Sequence, residues 1–156
     1  MPETYPHLWL LTKSAIVAAL IQYNPRLERF QFDYSKIAES LKITEDEARS
    51  RYQHVELNPP ESDLAIQLTV DDNHVFISIP YWYQGSKTDE VFSQCSEYLR
   101  VIRRTAGFFT YDPQTGIAFG PEQTDLRDHK QYEKTVKELP KIAAEVSKPD
   151  RPWWSA

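Results

Sequence analysis

Glycine is scarce in this chain, with four in 156 residues, and cysteine scarcer, with Cys95 alone. A phosphate-cradling loop needs glycines spaced a few residues apart, and neither G-x-x-x-x-G-K-S/T nor G-x-G-x-x-G occurs. The strand-to-helix elbow G-x-S-x-G is missing too. One cysteine rules out an intrachain disulfide and gives no sign of an oxidising compartment. The most apolar stretch, residues 8–21, is broken by Thr12, Lys13 and Ser14 and falls short of the about 20 apolar residues that span a bilayer. Positive charge is also in deficit: 18 Lys and Arg stand against 23 Asp and Glu, a net charge of -5. That balance argues against nucleic acid or an anionic membrane as the partner and suits a basic protein. Residues 1–6 lack the basic opening of a secretory leader, so a cytoplasmic location is expected.

What the chain has is length and apolar content for one core. A 156-residue chain fits a single domain, and at that size roughly 70% of the unfolded surface can be buried without disulfide or metal. One α+β domain is expected over residues 1–148, with 121–148 as a charged helical segment and 149–156 as an extended tail.

Along the chain, residues 8–11 read as a short strand or a helix entry. Ser14 reads as an N-cap to a helix over 15–22, with Ile16, Ala19, Leu20 and Tyr23 on one face and Asn24-Pro25 as its stop. Residues 26–33 read as a polar-aromatic connection. A second helix is expected over 34–41 with Ile37 and Leu41 inward. Thr44 and Glu47 have the spacing of a capping box for a third helix over 45–53. Val55-Glu56-Leu57 begins a strand. Residues 64–70 alternate, with Leu64, Ile66, Leu68 and Val70 on one side, and 75–79 return with Val75, Ile77 and Ile79 inward, across an Asp71-Asp72-Asn73-His74 turn. The strongest helix is expected over 87–105, where Val91, Phe92, Cys95, Tyr98, Leu99 and Ile102 share a face and Gly107 supplies the left-handed stop. Residues 108–111 and 117–119 read as further strands. Tyr132, Val136, Leu139, Ile142 and Val146 keep helical spacing across Pro140.

The fold expected is therefore α+β: a small, mainly antiparallel sheet of three or four strands, a long helix on one face and an N-terminal helical segment. The sheet would comprise 64–70, 75–79, 108–111 and 117–119. The link from 79 to 108 is long enough for a crossover. Parallel pairing of 75–79 with 108–111 would bring both strand ends to one edge, and antiparallel pairing would set them at opposite ends.

Candidate chemistry is sparse. His7, His54, His74 and His129 show no metal-binding spacing, and His74 beside Asp71 and Asp72 is better read as a hairpin turn than as an ion site. No metal and no cofactor is expected. Cys95, between Val91 and Leu99 on the apolar helix face, reads as core rather than nucleophile. Residues 34–55 have the outline of a helix-turn-helix. Lys42 stands where glycine is usual, however, and Glu45-Asp46-Glu47 would repel phosphates, leaving Arg49 and Arg51 as the cations. Two features remain. Tyr81-Trp82-Tyr83 follows a strand end, and three successive aromatics cannot all enter one core because side chains alternate. Tyr111-Asp112-Pro113-Gln114 forms a turn in which Asp112 caps its own backbone rather than acting as a base. The candidate partner-binding residues are Tyr81, Trp82, Tyr83, Tyr111, Asp112, Gln114 and the terminal pair Trp153 and Trp154; none is assigned catalysis.

The helix over 87–105, Gly107 and the strand running into Tyr111-Asp112-Pro113-Gln114 resemble a group of small, mostly uncharacterised bacterial proteins. Some of these occur beside contact-delivered toxins and are proposed to be immunity proteins. The resemblance spans about residues 62–116; the N-terminal third matches only in general order and the C-terminal tail not at all. It brings no catalytic residues and implies a small α+β binding protein. The expected function is non-enzymatic binding of a protein partner in the cytoplasm, as an immunity protein neutralising a toxin. A helix-turn-helix regulator and a small enzyme with a pocket around Tyr81, Trp82, Tyr83 and Asp112 are the alternatives.

Overall fold

The computed structural model describes residues 6–113, 116–119 and 130–146. In order these form α1 (Pro6–Tyr23), β1 (Glu28–Arg29), α2 (Tyr34–Leu41), α3 (Glu45–Arg51), β2 (Val55–Asn58), β3 (Gln67–Val70), β4 (Val75–Ser78), α4 (Ser86–Ala106), β5 (Thr110–Asp112), β6 (Ile117–Phe119) and α5 (Lys130–Val146). The α+β class holds. One four-stranded antiparallel sheet runs in the order β1-β2-β3-β4, and β5 pairs only with β6 in a separate hairpin.

The alternating sequence of β3 works as expected. Ile66, Leu68 and Val70 are buried, and Val75 and Ile77 on β4 pack beside them. With Val55 and Leu57 of β2 they make the inner sheet face. Against it lie Val91, Cys95, Tyr98 and Ile102 of α4 and Ile16, Val17 and Leu20 of α1, so one cluster joins both helices to the sheet. Gly107 ends α4 in the left-handed region at φ 65°, and its N–H donates to the Arg103 carbonyl at 2.8 Å. Only a residue without Cβ takes that conformation freely.

Several expectations need correction. Ser14 caps nothing: α1 runs unbroken from Pro6 to Tyr23. Nothing between Leu8 and Ser14 breaks a helix, and Lys13 has a structural use. Its Nζ lies 2.6 Å from Asp72 Oδ1 and donates to the Gln53 carbonyl at 3.1 Å, tying α1 to the β3–β4 turn. The expected connection over 26–33 contributes the edge strand β1, which pairs Glu28 with Asn58 and Arg29 with Leu57. On α2, Ala38 is buried while Leu41 is 45% exposed, so the helix is turned by one position from the expected inward face. The expected membership of the sheet also fails. The stretches 108–111 and 117–119 do not join β3 and β4; β1 and β2 take those places. The reason is connectivity. β5 closes on β6 across the short turn over 113–116, a return that costs less chain entropy than one from β4 through α4, while β2 takes the opposite edge of β3.

Candidate binding surface around Trp82

Pro80 has no N–H to donate and closes β4. Gly85, at φ 59°, turns the chain into α4. Between them the chain is held at Pro80, Tyr81 and Tyr83 by contacts from distant parts of the chain. The Tyr83 hydroxyl accepts the Ala65 N–H at 2.6 Å, and the Tyr83 N–H donates to the Tyr132 hydroxyl at 3.1 Å. That hydroxyl in turn donates to the Pro80 carbonyl at 2.6 Å. The Tyr81 ring stacks on Tyr132 with centroids 5.3 Å apart, and Phe92 meets Tyr132 edge-on at the same distance. Tyr132 is 1% exposed, and burial pushes its hydroxyl pKa above the ordinary value. It therefore stays neutral and serves the main chain on both sides as donor and acceptor.

This bracing decides where the triplet points. Tyr83 turns inward and is half-buried, Tyr81 is 39% exposed and Trp82 is 66% exposed. Side chains alternate along the segment as expected, and Trp82 is the ring most fully outward. Tyr132 is the residue that sequence reasoning missed. Its spacing with Val136 marks an apolar helix stripe, but nothing in that stripe names a target about 50 residues upstream.

Beside the triplet an open groove of about 440 Å³ runs between α4 and residues 59–66. Its polar groups are largely occupied by partners in the groove or just outside it. Asn24 Nδ2 donates to the Tyr98 hydroxyl at 2.8 Å, Lys87 pairs with Glu90 at 2.6 Å, and Asp63 pairs with Arg26 at 3.0 Å. Neither His54 nor His74 lines it, and neither does Asp112. Of the triplet, Tyr83 lines this groove.

Tyr111 and Asp112 lie on β5. Gly116 N–H donates to the Asp112 carbonyl at 2.8 Å, closing the expected turn. Tyr111 is 64% exposed and Phe109, two residues earlier, 75%. Since β4 and β5 are not neighbours, the parallel-edge arrangement that would have united Tyr111 and Asp112 with the triplet does not exist. Gln114, Trp153, Trp154 and the tail over 149–156 lie outside the described residues.

The remaining candidates make contacts within the fold. Arg49 pairs with Glu45 at 2.6 Å and lies 4.5 Å over the Tyr34 ring, so its charge is engaged within the α2–α3 unit. Lys42 occupies the left-handed C-cap position at φ 55°, where glycine is usual. Cys95 is 2% exposed, and burial pushes its thiol up to about 12, which keeps it a neutral core residue. His74 Nε2 lies 3.7 Å from Asp71, and among the described residues no group of three metal-ligating side chains converges. No described helix is long and apolar enough to cross a membrane. No protein-family model, curated protein or solved structure matches the chain.

Proposed function

We propose that this protein acts by binding another protein, with Trp82 as the anchor, and that the partner is a basic bacterial toxin held inactive by the complex. The observation that carries this reading is the exposure of Trp82 on a segment fixed by Tyr83 and Tyr132. A large ring presented on a braced backbone loses little freedom on association, and Trp is the residue most enriched among energetic anchors of interfaces. The polar groove alongside supplies a rim, and the net charge of -5 would steer a basic partner toward it. This reading asks for no catalysis, and the groove's Lys87 and Asp63 are each held in an ion pair, with Glu90 and Arg26. The helix-turn-helix reading is weakened by Arg49, whose charge is engaged internally.

The test is a binding titration between the purified protein and the product of the neighbouring gene, with a growth-protection assay beside it. Complex formation is expected, and Trp82→Ala is expected to weaken it by about 30-fold or more, the scale of an interface hot spot. The variant's own melting temperature should stay unchanged. A neighbouring gene product that neither binds nor is neutralised sinks the toxin assignment, and a Trp82→Ala variant that binds as tightly as wild type removes Trp82 as anchor.

A further inference from the structure

The groove between α4 and residues 59–66 has a chemistry of its own. Its lining sets two carboxylates, Asp63 and Glu90, against one ammonium, Lys87. Both contacts to Asp63, from Arg26 Nη2 at 3.0 Å and from the Ser62 hydroxyl at 3.3 Å, fall on Oδ1. The Lys87 contact to Glu90, at 2.6 Å, falls on Oε2. Among the described residues, each carboxylate therefore keeps its second oxygen uncommitted. The two cations are the wetter partners: the Arg26 and Lys87 side chains are each 61% exposed, against 26% for Asp63. Exposed pairs of this kind hold little against a competitor.

The floor differs from the mouth. Ile66 and Tyr98 line it and are both buried, and Tyr83 lines it too. The Tyr98 hydroxyl accepts from Asn24 Nδ2 at 2.8 Å, but among the described residues no acceptor takes its own hydrogen. Buried polar groups ordinarily have their partners, and a phenol can donate as well as accept. A ligand that fits this groove brings an apolar stem, donors for two carboxylate oxygens and one acceptor for a phenol.

We infer that the groove receives an arginine of the protein partner, carried on an extended segment, an inference that rests on the protein-binding reading above. The guanidinium takes the spare oxygens of Asp63 and Glu90, and the methylene stem lies along Ile66 and the tyrosine rings. The main-chain carbonyl of the same segment takes the Tyr98 hydrogen. Lysine would bring a point charge where a planar fork can serve two carboxylates, and a free polyamine brings no acceptor for Tyr98. The net charge of -5 draws a basic segment to the mouth.

A nuclear magnetic resonance titration of the whole chain with acetyl-Ala-Arg-Ala-amide tests this, beside the citrulline and lysine peptides of the same frame. Amide shifts should move over residues 62–66 and 87–98 with the arginine peptide. They should stay still with citrulline, which keeps the shape without the charge. Asp63→Asn and Glu90→Gln should each weaken binding by about tenfold, the worth of a hydrogen bond to a charged group. Both variants should melt near the wild-type temperature, because the ion pairs they remove are exposed. Tyr98→Phe should weaken the peptide by about threefold, the worth of a neutral hydrogen bond, and leave the binding of methylguanidinium, which has no carbonyl, unaltered. Trp82→Ala should leave the peptide's affinity unchanged, since Trp82 does not line the groove; the groove and the Trp82 anchor can thus fail separately. An arginine peptide that does not bind at millimolar concentration overturns the inference, even where the neighbouring gene product binds. So does equal binding of the citrulline peptide, a shift pattern elsewhere on the molecule, or an affinity indifferent to both carboxylate variants. A lysine peptide that binds as tightly overturns the choice of arginine. Peptide binding without a complex with the neighbouring gene product supports the groove and counts against the toxin assignment alone.

Discussion

Phe32 and Tyr132 each sit at the centre of an aromatic cluster, and the two clusters hold different things. Phe32 touches Phe30 and His54 at 5.1 Å, Tyr52 at 5.7 Å and Tyr34 at 6.0 Å. The rings fasten α2, α3 and the start of β2 to one another, mostly by side-chain contact between neighbouring segments. Among the described residues Tyr132 has two ring partners, Tyr81 and Phe92, and also two hydrogen bonds to backbone, at Pro80 and Tyr83. Ring contact fixes side chains; a hydrogen bond to the main chain fixes the path of the chain itself. The Phe32 cluster has a main-chain bond too, from the Tyr34 hydroxyl to the Tyr52 carbonyl at 3.2 Å, but it joins two members of the cluster, which closes on itself, whereas the Tyr132 cluster presents Trp82 in a set position.

The largest effect that would break this comparison comes from Tyr132→Ala. Truncating a fully buried aromatic costs about 3–5 kcal/mol, and here it also leaves the Pro80 carbonyl and Tyr83 N–H without partners. Part of that loss should appear as local release of α5, read as faster amide exchange over Lys130–Val146 and at residues 81–84. Phe32→Ala, at a half-buried site, should cost about half as much and leave those amides unaffected. If Phe32→Ala proved the more damaging, or if Tyr132→Ala left residues 81–84 as protected as before, the bracing role would be lost. Tyr132→Phe refines the result. It keeps the ring and should cost about 1 kcal/mol, the worth of the hydroxyl's bonds.

The same contrast explains which parts were legible in the sequence. The β3–β4 hairpin, α4 with its Gly107 stop, and the Thr44–Glu47 capping box are local patterns, each decided by periodicity or by residues three apart. They came through nearly intact. Sheet order did not, because whether β5 returns to β4 through α4 or closes on β6 depends on the relative cost of two chain returns, and no single residue records that. The exposure of one triplet ring was legible from alternation alone. The bracing was not, since Ala65, Tyr83 and Tyr132 are far apart in sequence and meet only in the fold. Lys13 shows the converse failure. A charge inside an apolar stretch reads as an interruption until Asp72 and the Gln53 carbonyl are seen to receive it.

A smaller effect sharpens the Phe32 side. Arg49 spans Glu45 and the Tyr34 ring, so Arg49→Ala should cost about 0.5–1 kcal/mol, the range of an exposed cation–π contact with a surface ion pair. Thermal melts of the variant and of Arg49→Lys give the measure. Lysine keeps the charge but not the planar stacking and should recover only part of the loss. A variant with unchanged stability would assign Arg49 to something other than the fold, and a nucleic-acid titration of the same pair would then be the informative one.

The smallest effect is one of pH, and it should act on the two clusters from opposite ends of the scale. Around Phe32, Glu47 is held below the ordinary carboxylate range by the Thr44 N–H first and the Thr44 hydroxyl second. Asp33 is held down by the Lys36 N–H and then by the Lys36 ammonium. A depressed folded pKa means that stabilisation is complete above the unfolded value, about 4 for these groups, and lost as pH falls through the folded one. Both carboxylates are exposed, so the loss should show as fraying of α2 and α3 and not as global unfolding. Around Trp82 the titrating group is Tyr132, whose pKa burial raises. Its contribution is intact below the unfolded tyrosine value, about 10, and declines as pH climbs from there toward the folded one. Acid should therefore loosen residues 33–51 while residues 80–84 keep their protection, and alkali should do the reverse. Amide exchange and side-chain carboxyl shifts followed from about pH 3 to 11 would reveal the order. Simultaneous loosening of both regions at either extreme would mean that the two clusters are coupled, and that the Trp82 platform depends on the α2–α3 unit after all.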